Sequence, residues 1–227
     1  MPLCPLCGAL ANPVGRALSR LHCACPACDL RFITSTYHLS PEEEYKRYLL
    51  HQNDSSNTGY VKFLTVAVDC LKTHLGNLHP ALTRVLDYGS GPGPVLVQLL
   101  NREGFMAIGY DPNFGERSTP DCMVTDSLTG LGLFDAVVST EVVEHFRAPR
   151  EEWGKMVSLI RPGGFLVVVT SLVVPGIDLS AWYYANDPTH IAFYSELTLS
   201  HIGKQWGLSI VETNGHNRVV MRKHPAA

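Results

Sequence analysis

Apolar positions along the 227-residue chain recur with two different periods. Val61, Leu64, Val68, Leu71 and Leu75 follow one another at three- and four-residue steps, which predicts one face of an α-helix. From residue 83 onward, short β-branched runs alternate with helical patterns, as parallel strands joined by crossover helices require. Strands are expected at 84–87, 107–110, 122–124, 134–139 and 164–170, and helices near 94–103, 149–160 and 195–206. The last helix lies between a cap at Ser195 and a stop at Gly207, and 208–212 and 218–222 read as a closing strand pair. Upstream, Ser40, Pro41 and Glu43 supply an N-cap, a proline at the first helical position and an acid three residues past the cap. That helix is expected to reach about His51, with a polar stretch at 52–57 after it.

The pattern divides the chain into a cysteine-bearing segment at 1–36, a helical linker at 37–58 and an α/β domain at 59–227. Hydrophobic residues make up 45% and charged residues 17%, a balance that supports a buried core rather than disorder. The formal net charge of −3 supplies no overall basic field, so a nucleic-acid partner would need a local patch. The first residues lack the apolar run of a secretion signal, and no apolar stretch approaches the roughly 18 residues of a membrane span. The expectation is a soluble, cytoplasmic protein with no membrane partner.

Val85-Leu86-Asp87-Tyr88-Gly89-Ser90-Gly91-Pro92-Gly93 is an apolar strand ending in an acid, followed by three alternating glycines ahead of a helix. Glycines there let backbone approach a ligand beyond the carboxyl ends of the strands. The dinucleotide fingerprint is not met, because Pro94 stands three beyond Gly91. Asp87 would also repel a pyrophosphate, whereas it suits S-adenosylmethionine, which has no phosphate and carries an ammonium and a sulfonium. Asp111, some twenty residues past the turn, is placed to accept from ribose hydroxyls or else forms a turn before Pro112. Asp126 either takes an adenine amino group or is a plain loop residue.

The run Val85 to Gly93, with Gly109-Tyr110-Asp111, Phe134-Asp135-Ala136-Val137 and Arg161-Pro162-Gly163-Gly164, resembles in order and spacing the successive motifs of class I S-adenosylmethionine-dependent methyltransferases. The resemblance covers residues 59–222. It implies an enzyme with a Rossmann-like sheet of seven strands, the last reversed, and cofactor contacts at Asp87, Gly89, Gly91, Asp111 and Asp126. Ser90 and Gly93 of the same turn, and Glu141 beyond the fourth strand, are counted with them. The resemblance does not name the methyl acceptor.

Cys4-x-x-Cys7 and Cys25-x-x-Cys28 are separated by seventeen residues, the two-knuckle spacing of a four-thiolate structural zinc site. Reduced thiols or a redox pair are the alternative. Cys23 is a spare that could replace Cys25, while Cys70 and Cys122 read as buried apolar residues. His22 is expected at the surface, and Arg16, Arg20 and Arg31 as solvated charges. A similar arrangement precedes the catalytic domain of some ribosomal RNA guanine methyltransferases, which keeps RNA as an alternative acceptor.

Thr140-Glu141-Val142-Val143-Glu144-His145 follows the fourth strand, and a helical turn there would bring Glu141, Glu144 and His145 to one side. His190 follows the fifth strand in a loop with Trp182, Tyr183, Tyr184, Phe193 and Tyr194, expected to fold over the same cleft. Glu141, Glu144, His145 and His190 are similar to the metal quartet of methyltransferases that modify small RNA 3′ ends, and Glu-x-x-Glu-His also occurs in ubiquinone-pathway O-methyltransferases. Mg2+ or Mn2+ there would lower the pKa of an acceptor hydroxyl. Alternatively Glu144 and His145 form a hydrogen-bonded pair, and His190 or His145 acts as general base. The expected function is methyl transfer to O or N of a small molecule; RNA methylation, or cofactor binding without turnover, are the alternatives.

Overall fold

In the computed structural model, which describes residues 1–50, 53–76, 78–115 and 122–226, the continuous apolar runs become strands covered on both faces. The first part contributes β1 (Asn12–Ala17), β2 (Arg20–Ala24) and β3 (Arg31–Ile33), then helices α1 (Pro41–Tyr48) and α2 (Thr58–Leu75). The alternating part runs β4 (Arg84–Tyr88), α3 (Val95–Arg102), β5 (Met106–Tyr110), β6 (Met123–Thr125), β7 (Phe134–Thr140), α4 (Pro149–Ser158) and β8 (Ile160–Val169). It closes with β9 (Ala192–Phe193), α5 (Glu196–Trp206), β10 (Leu208–Thr213) and β11 (Arg218–Lys223).

Seven strands form one sheet in the order β10-β11-β8-β7-β4-β5-β6. The pairs among β4 to β8 are parallel, whereas β11 runs antiparallel to both β8 and β10. This is the reversed last strand that the motif resemblance implies. β8 starts at Ile160, earlier than the expected 164, because Ile160 pairs with Phe134 before the register shifts to Ala136 and Phe165. The intervening residues bulge, and Gly163 takes the left-handed conformation they need, at φ 78°.

Helix ends follow side-chain chemistry. Ser40 and Glu43 form the reciprocal capping box of α1, Ser195 and Thr198 cap α5, and Gly207 ends it at φ 70°. Leu64, Val68, Leu71 and Leu75 of α2 are buried with Leu96 and Leu100 of α3 and Val167 of β8. The expected end of the first helix at His51, and Gln52 after it, lie outside the described residues. Helix α1 buries no residue of its own. It is held by Arg47 on Asp187, by Glu44 on Arg147 and by Tyr45 stacked on Phe114. No helix among the described residues is long and apolar enough to cross a membrane.

The first 36 residues do not stand apart. Their strands form a second sheet, β1-β2-β3-β9, whose last member comes from the segment just after His190. Cys4, Leu6, Leu30 and Phe32 share a core with Leu86, Val137, Trp153 and Tyr194. Two expectations are corrected by this packing. His22 is not at the surface but 1% exposed and stacked on Phe193, because β9 brings the later loop over β2. Arg20 is likewise buried, with its guanidinium turned into that loop.

Candidate active site

Where β4 ends, the chain turns through Gly89 (φ 88°) and Gly91 (φ 66°), conformations open to glycine and strained for other residues. Gly89 and Ser90 donate their N–H groups to the Tyr110 carbonyl, which ties the turn to the end of β5. A Cβ on Gly89 would stand 2.5 Å from a Val142 methyl, so the turn also fits closely against the segment after β7. A Cβ on Gly93 would meet the Asn53 carbonyl. Gly93 therefore packs the turn rather than lining the space above it.

That space is a cavity of about 830 Å3, bounded by Gly89, Ser90, Gly91, Asp111, Glu141, His145 and His190 and by Tyr45 and Tyr48 of α1. It lies within the range of about 300–1,000 Å3 usual for small-ligand sites. Ser90 borders this cavity, and its Oγ is buried against Gly109 of β5, where a Cβ would stand 2.8 Å away, with no hydrogen-bond partner.

Asp87 sits beneath the turn, 4% exposed. Burial, reinforced by the charge of Asp111, pushes its pKa up to about 7. Asp111 lines the cavity and accepts from the backbone N–H groups of Gly91 (2.8 Å), Asn113 (2.9 Å) and Phe114 (3.2 Å), so it shapes the turn before and after itself. A carboxylate offers about four acceptor sites, which leaves room for a further donor. Asp126 is exposed and does not line the cavity; the neighbouring 116–121 lie outside the described residues.

Beyond β7, three predicted residues converge. Candidate ligand atoms of Glu144, His145 and His190 lie within 4.8 Å of one another. Glu144 is fully buried and accepts from Tyr184 Oη (2.6 Å) and Thr170 Oγ1 (3.0 Å). Burial raises its pKa and the neighbouring His190 opposes the rise. His190 Nδ1 faces the Tyr184 carbonyl at 2.8 Å, and His145 Nδ1 faces the Thr189 carbonyl at 3.0 Å. Burial, and then His145, lower the pKa of His190.

Glu141 is not one of the three residues whose ligand atoms cluster, although its carboxyl borders Glu144 and Tyr184. The segment forms only a 3-10 turn at Val143–His145, and Glu141 precedes it in the left-handed region at φ 52°, held by its N–H on the Val169 carbonyl. The expected helical turn is thus replaced by a kink, a conformation that costs such a residue about 1–3 kcal/mol. Its carboxyl lines the cavity and is pushed up to about 9 by burial and by the nearby Glu144.

Of the loop aromatics only Tyr183 lines the cavity; Phe193 and Tyr194 are core, and the Tyr184 hydroxyl serves Glu144. The roles of Tyr184, Thr170, Tyr45 and Tyr48 have no local spacing signal. Only Thr170, at the carboxyl end of an expected strand, could have been placed beforehand.

The four sulfurs of Cys4, Cys7, Cys25 and Cys28 also lie within 4.8 Å of one another, with Cys4 to Cys28 at 3.6 Å and Cys7 to Cys25 at 3.4 Å. Zinc–sulfur bonds of about 2.3 Å in a tetrahedron give sulfur separations near 3.8 Å, so the set fits that metal. Each knuckle is followed by a left-handed residue, Gly8 (φ 79°) or Asp29 (φ 60°), whose N–H donates back to the carbonyl of the knuckle's first cysteine. Cys23 is buried in β2 and outside the cluster.

A family model described as a methyltransferase domain matches residues 39–213. Among solved structures, Burkholderia thailandensis 1,6-didemethyltoxoflavin-N1-methyltransferase, bound to 1,6-didemethyltoxoflavin and S-adenosylhomocysteine, is similar at 18% identity and TM-score 0.56, over 94% of this chain and 100% of that one. The magnesium protoporphyrin IX methyltransferase of Synechocystis PCC 6803, with S-adenosylhomocysteine bound, is similar at 18% identity and TM-score 0.52, over 80% of this chain and 94% of that one. A Burkholderia thailandensis O-methyltransferase family protein reaches 17% identity and TM-score 0.51, over 81% and 64% of the respective chains. No curated protein matches the sequence significantly. The chain belongs to the methyltransferase-domain family and is a class I, S-adenosylmethionine-dependent enzyme.

Proposed function

We propose that the protein methylates an oxygen or nitrogen of a small-molecule acceptor, with His190 as general base and Asp87, Gly89, Ser90, Gly91, Asp111 and Glu141 around the cofactor. The observation that carries this reading is the anchoring of His190 Nδ1 on the Tyr184 carbonyl at the cavity wall. A ring that donates from Nδ1 keeps its lone pair on Nε2, ready for an acceptor proton. Glu144 stands where it favours the imidazolium that results. S-adenosylmethionine supplies a methyl group on a sulfonium, whose leaving group is neutral, so alignment accounts for much of the rate.

The lining supports an acceptor with apolar rings and no phosphate. Tyr45, Tyr48, Phe114, Phe146 and Tyr183 supply aromatic surface. Arg147 and Lys155, the cations among the described lining residues, are already paired with Glu44 and Glu152. Similar structures include enzymes whose named acceptors are small molecules, which supports the same choice. No residue of 1–36 lines the cavity, and this weighs against an RNA guided in by that segment. We read 1–36 as a structural zinc module held by Cys4, Cys7, Cys25 and Cys28, 37–58 as a linker that roofs the cavity, and 59–227 as the catalytic domain. Thiolate zinc sites suit a reducing compartment, which favours the cytoplasm.

A second reading rests on the carbonyl anchors of both histidines. Metal-ligating imidazoles usually donate their other N–H to such a partner. Glu144, His145 and His190 would then hold a divalent ion, and two imidazoles favour manganese over magnesium. Such an ion would lower the pKa of an acceptor hydroxyl.

Methyl-labelled cofactor incubated with protein and a cell extract tests the acceptor class. Label in the low-mass fraction is expected, and label confined to RNA would overturn the reading. Loss of transfer with EDTA, restored by manganese while zinc content stays constant, would favour the ion over the plain base.

A further inference from the structure

The geometry points to Arg20 as a positioning residue for His190, through which the cysteine-bearing N-terminal segment sets the chemistry of a cavity it does not touch. This rests on the reading of His190 as the group that acts on the acceptor.

Arg20 lies on β2, 8% exposed. Its Nη1 donates to the carbonyls of Pro188 (3.1 Å) and His190 (3.2 Å), and its Nη2 to those of Asp187 (3.0 Å) and Ala185. One planar fork thus serves four carbonyls of the six-residue stretch 185–190, which has no strand partner of its own. The guanidinium suits this task because its donors are fixed in a plane, and it stays charged even when desolvated. Asp187 helps to keep that charge, from a side chain that also pairs with Arg47 of α1.

The remainder of the same segment holds the chain just beyond His190. Ile33 N–H donates to the Ile191 carbonyl at 2.8 Å, β3 pairs Phe32 with Ala192, and Ser195 Oγ donates to Asp29 at 2.6 Å. Asp29 is the left-handed residue that closes the second cysteine knuckle. The backbone of His190 is therefore fixed on both sides by residues 20–33, while its ring is fixed by the carbonyl of Tyr184, the residue just before the stretch that Arg20 clasps. Loosening the clasp lets His190 shift away from the Tyr184 carbonyl, so its proton no longer stays on Nδ1 and the lone pair no longer stays on Nε2.

The test uses the full chain with 15N-labelled histidine, in wild type, Arg20→Ala and Arg20→Lys. In wild type, NMR should show His190 protonated on Nδ1. In Arg20→Ala we expect mixed tautomers and amide exchange at residues 188–191 faster by on the order of tenfold or more, with S-adenosylmethionine affinity kept within about twofold. Millimolar guanidinium ion should restore the tautomer by filling the vacated site, a rescue that a general loss of stability would not show. Arg20→Lys keeps the charge but donates from one nitrogen, so it gives an intermediate result and serves if the alanine variant does not fold. An unchanged tautomer and unchanged exchange in a folded variant would overturn the assignment. Full methyl transfer by His190→Ala would instead remove the base reading and leave the exchange result standing.

Discussion

The His145 ring stands edge-on to that of His190, with centroids 4.8 Å apart and planes at 71°, and the Nδ1 atom of each faces a backbone carbonyl. Two imidazoles so close resist a second proton, and His145 opposes the charge of His190. Neither is then a simple surface histidine. The pair sits against Glu144, the buried carboxyl at the same end of the cavity.

A pH dependence follows for methyl transfer. Burial and His145 lower the pKa of His190 below its ordinary 6.5. The neutral ring is the base, so a lowered pKa keeps it active at lower pH: transfer should hold its plateau at pH 7 and decline only below 6.5. Replacing His145 by Gln should move the acid limb upward, since the neighbouring charge is gone. A kcat/KM profile with its acid limb above pH 7 would be inconsistent with this pair.

Cofactor affinity should titrate with Asp87. Without ligand its carboxyl is pushed up to about 7 by burial and Asp111, whereas a cationic ligand prefers the ionised form. Below pH 7 binding must expel a proton. Affinity for S-adenosylmethionine should therefore weaken by about tenfold from pH 8 to pH 6 and level off at higher pH. Asp87→Asn should flatten the dependence in calorimetry. A wild-type affinity that does not move with pH would place the titrating charge elsewhere.

Metal analysis should find one zinc per chain. Cys25→Ser should lose it, whereas Cys23→Ser should keep it, because Cys23 is buried in β2 outside the four-sulfur cluster. Since Cys4, Cys25 and Cys28 are part of the shared core, zinc loss should also lower the urea midpoint of the whole protein. Zinc retained by Cys25→Ser and lost by Cys23→Ser would reverse the ligand assignment.

Much of this architecture is legible in the residues because its signals are local. Periodicity locates β4 to β7 and α3 to α5 within a few residues, the Ser195 cap sharpens α5, and Cys-x-x-Cys spacing points to the four-sulfur cluster. What escaped is set by contacts far apart in sequence. Arg20 reaches across 170 positions to His190, and nothing in the neighbourhood of either residue announces it. His22 is buried only because β9 joins the N-terminal sheet, a pairing of two residues too short to read. Spacing alone puts Glu141 on a helical turn. The chain instead kinks at Glu141, just before Val142 packs closely against Gly89, and Glu141 borders Glu144 without entering the three-residue cluster.

The most direct test of the account is methyl transfer by His190→Ala beside wild type, with cofactor affinity measured on the same preparations. The expected result is turnover lower by on the order of 10²-fold, the scale of a lost acid–base group, with S-adenosylmethionine affinity nearly intact. Full turnover by the variant on an acceptor that wild type methylates would contradict it.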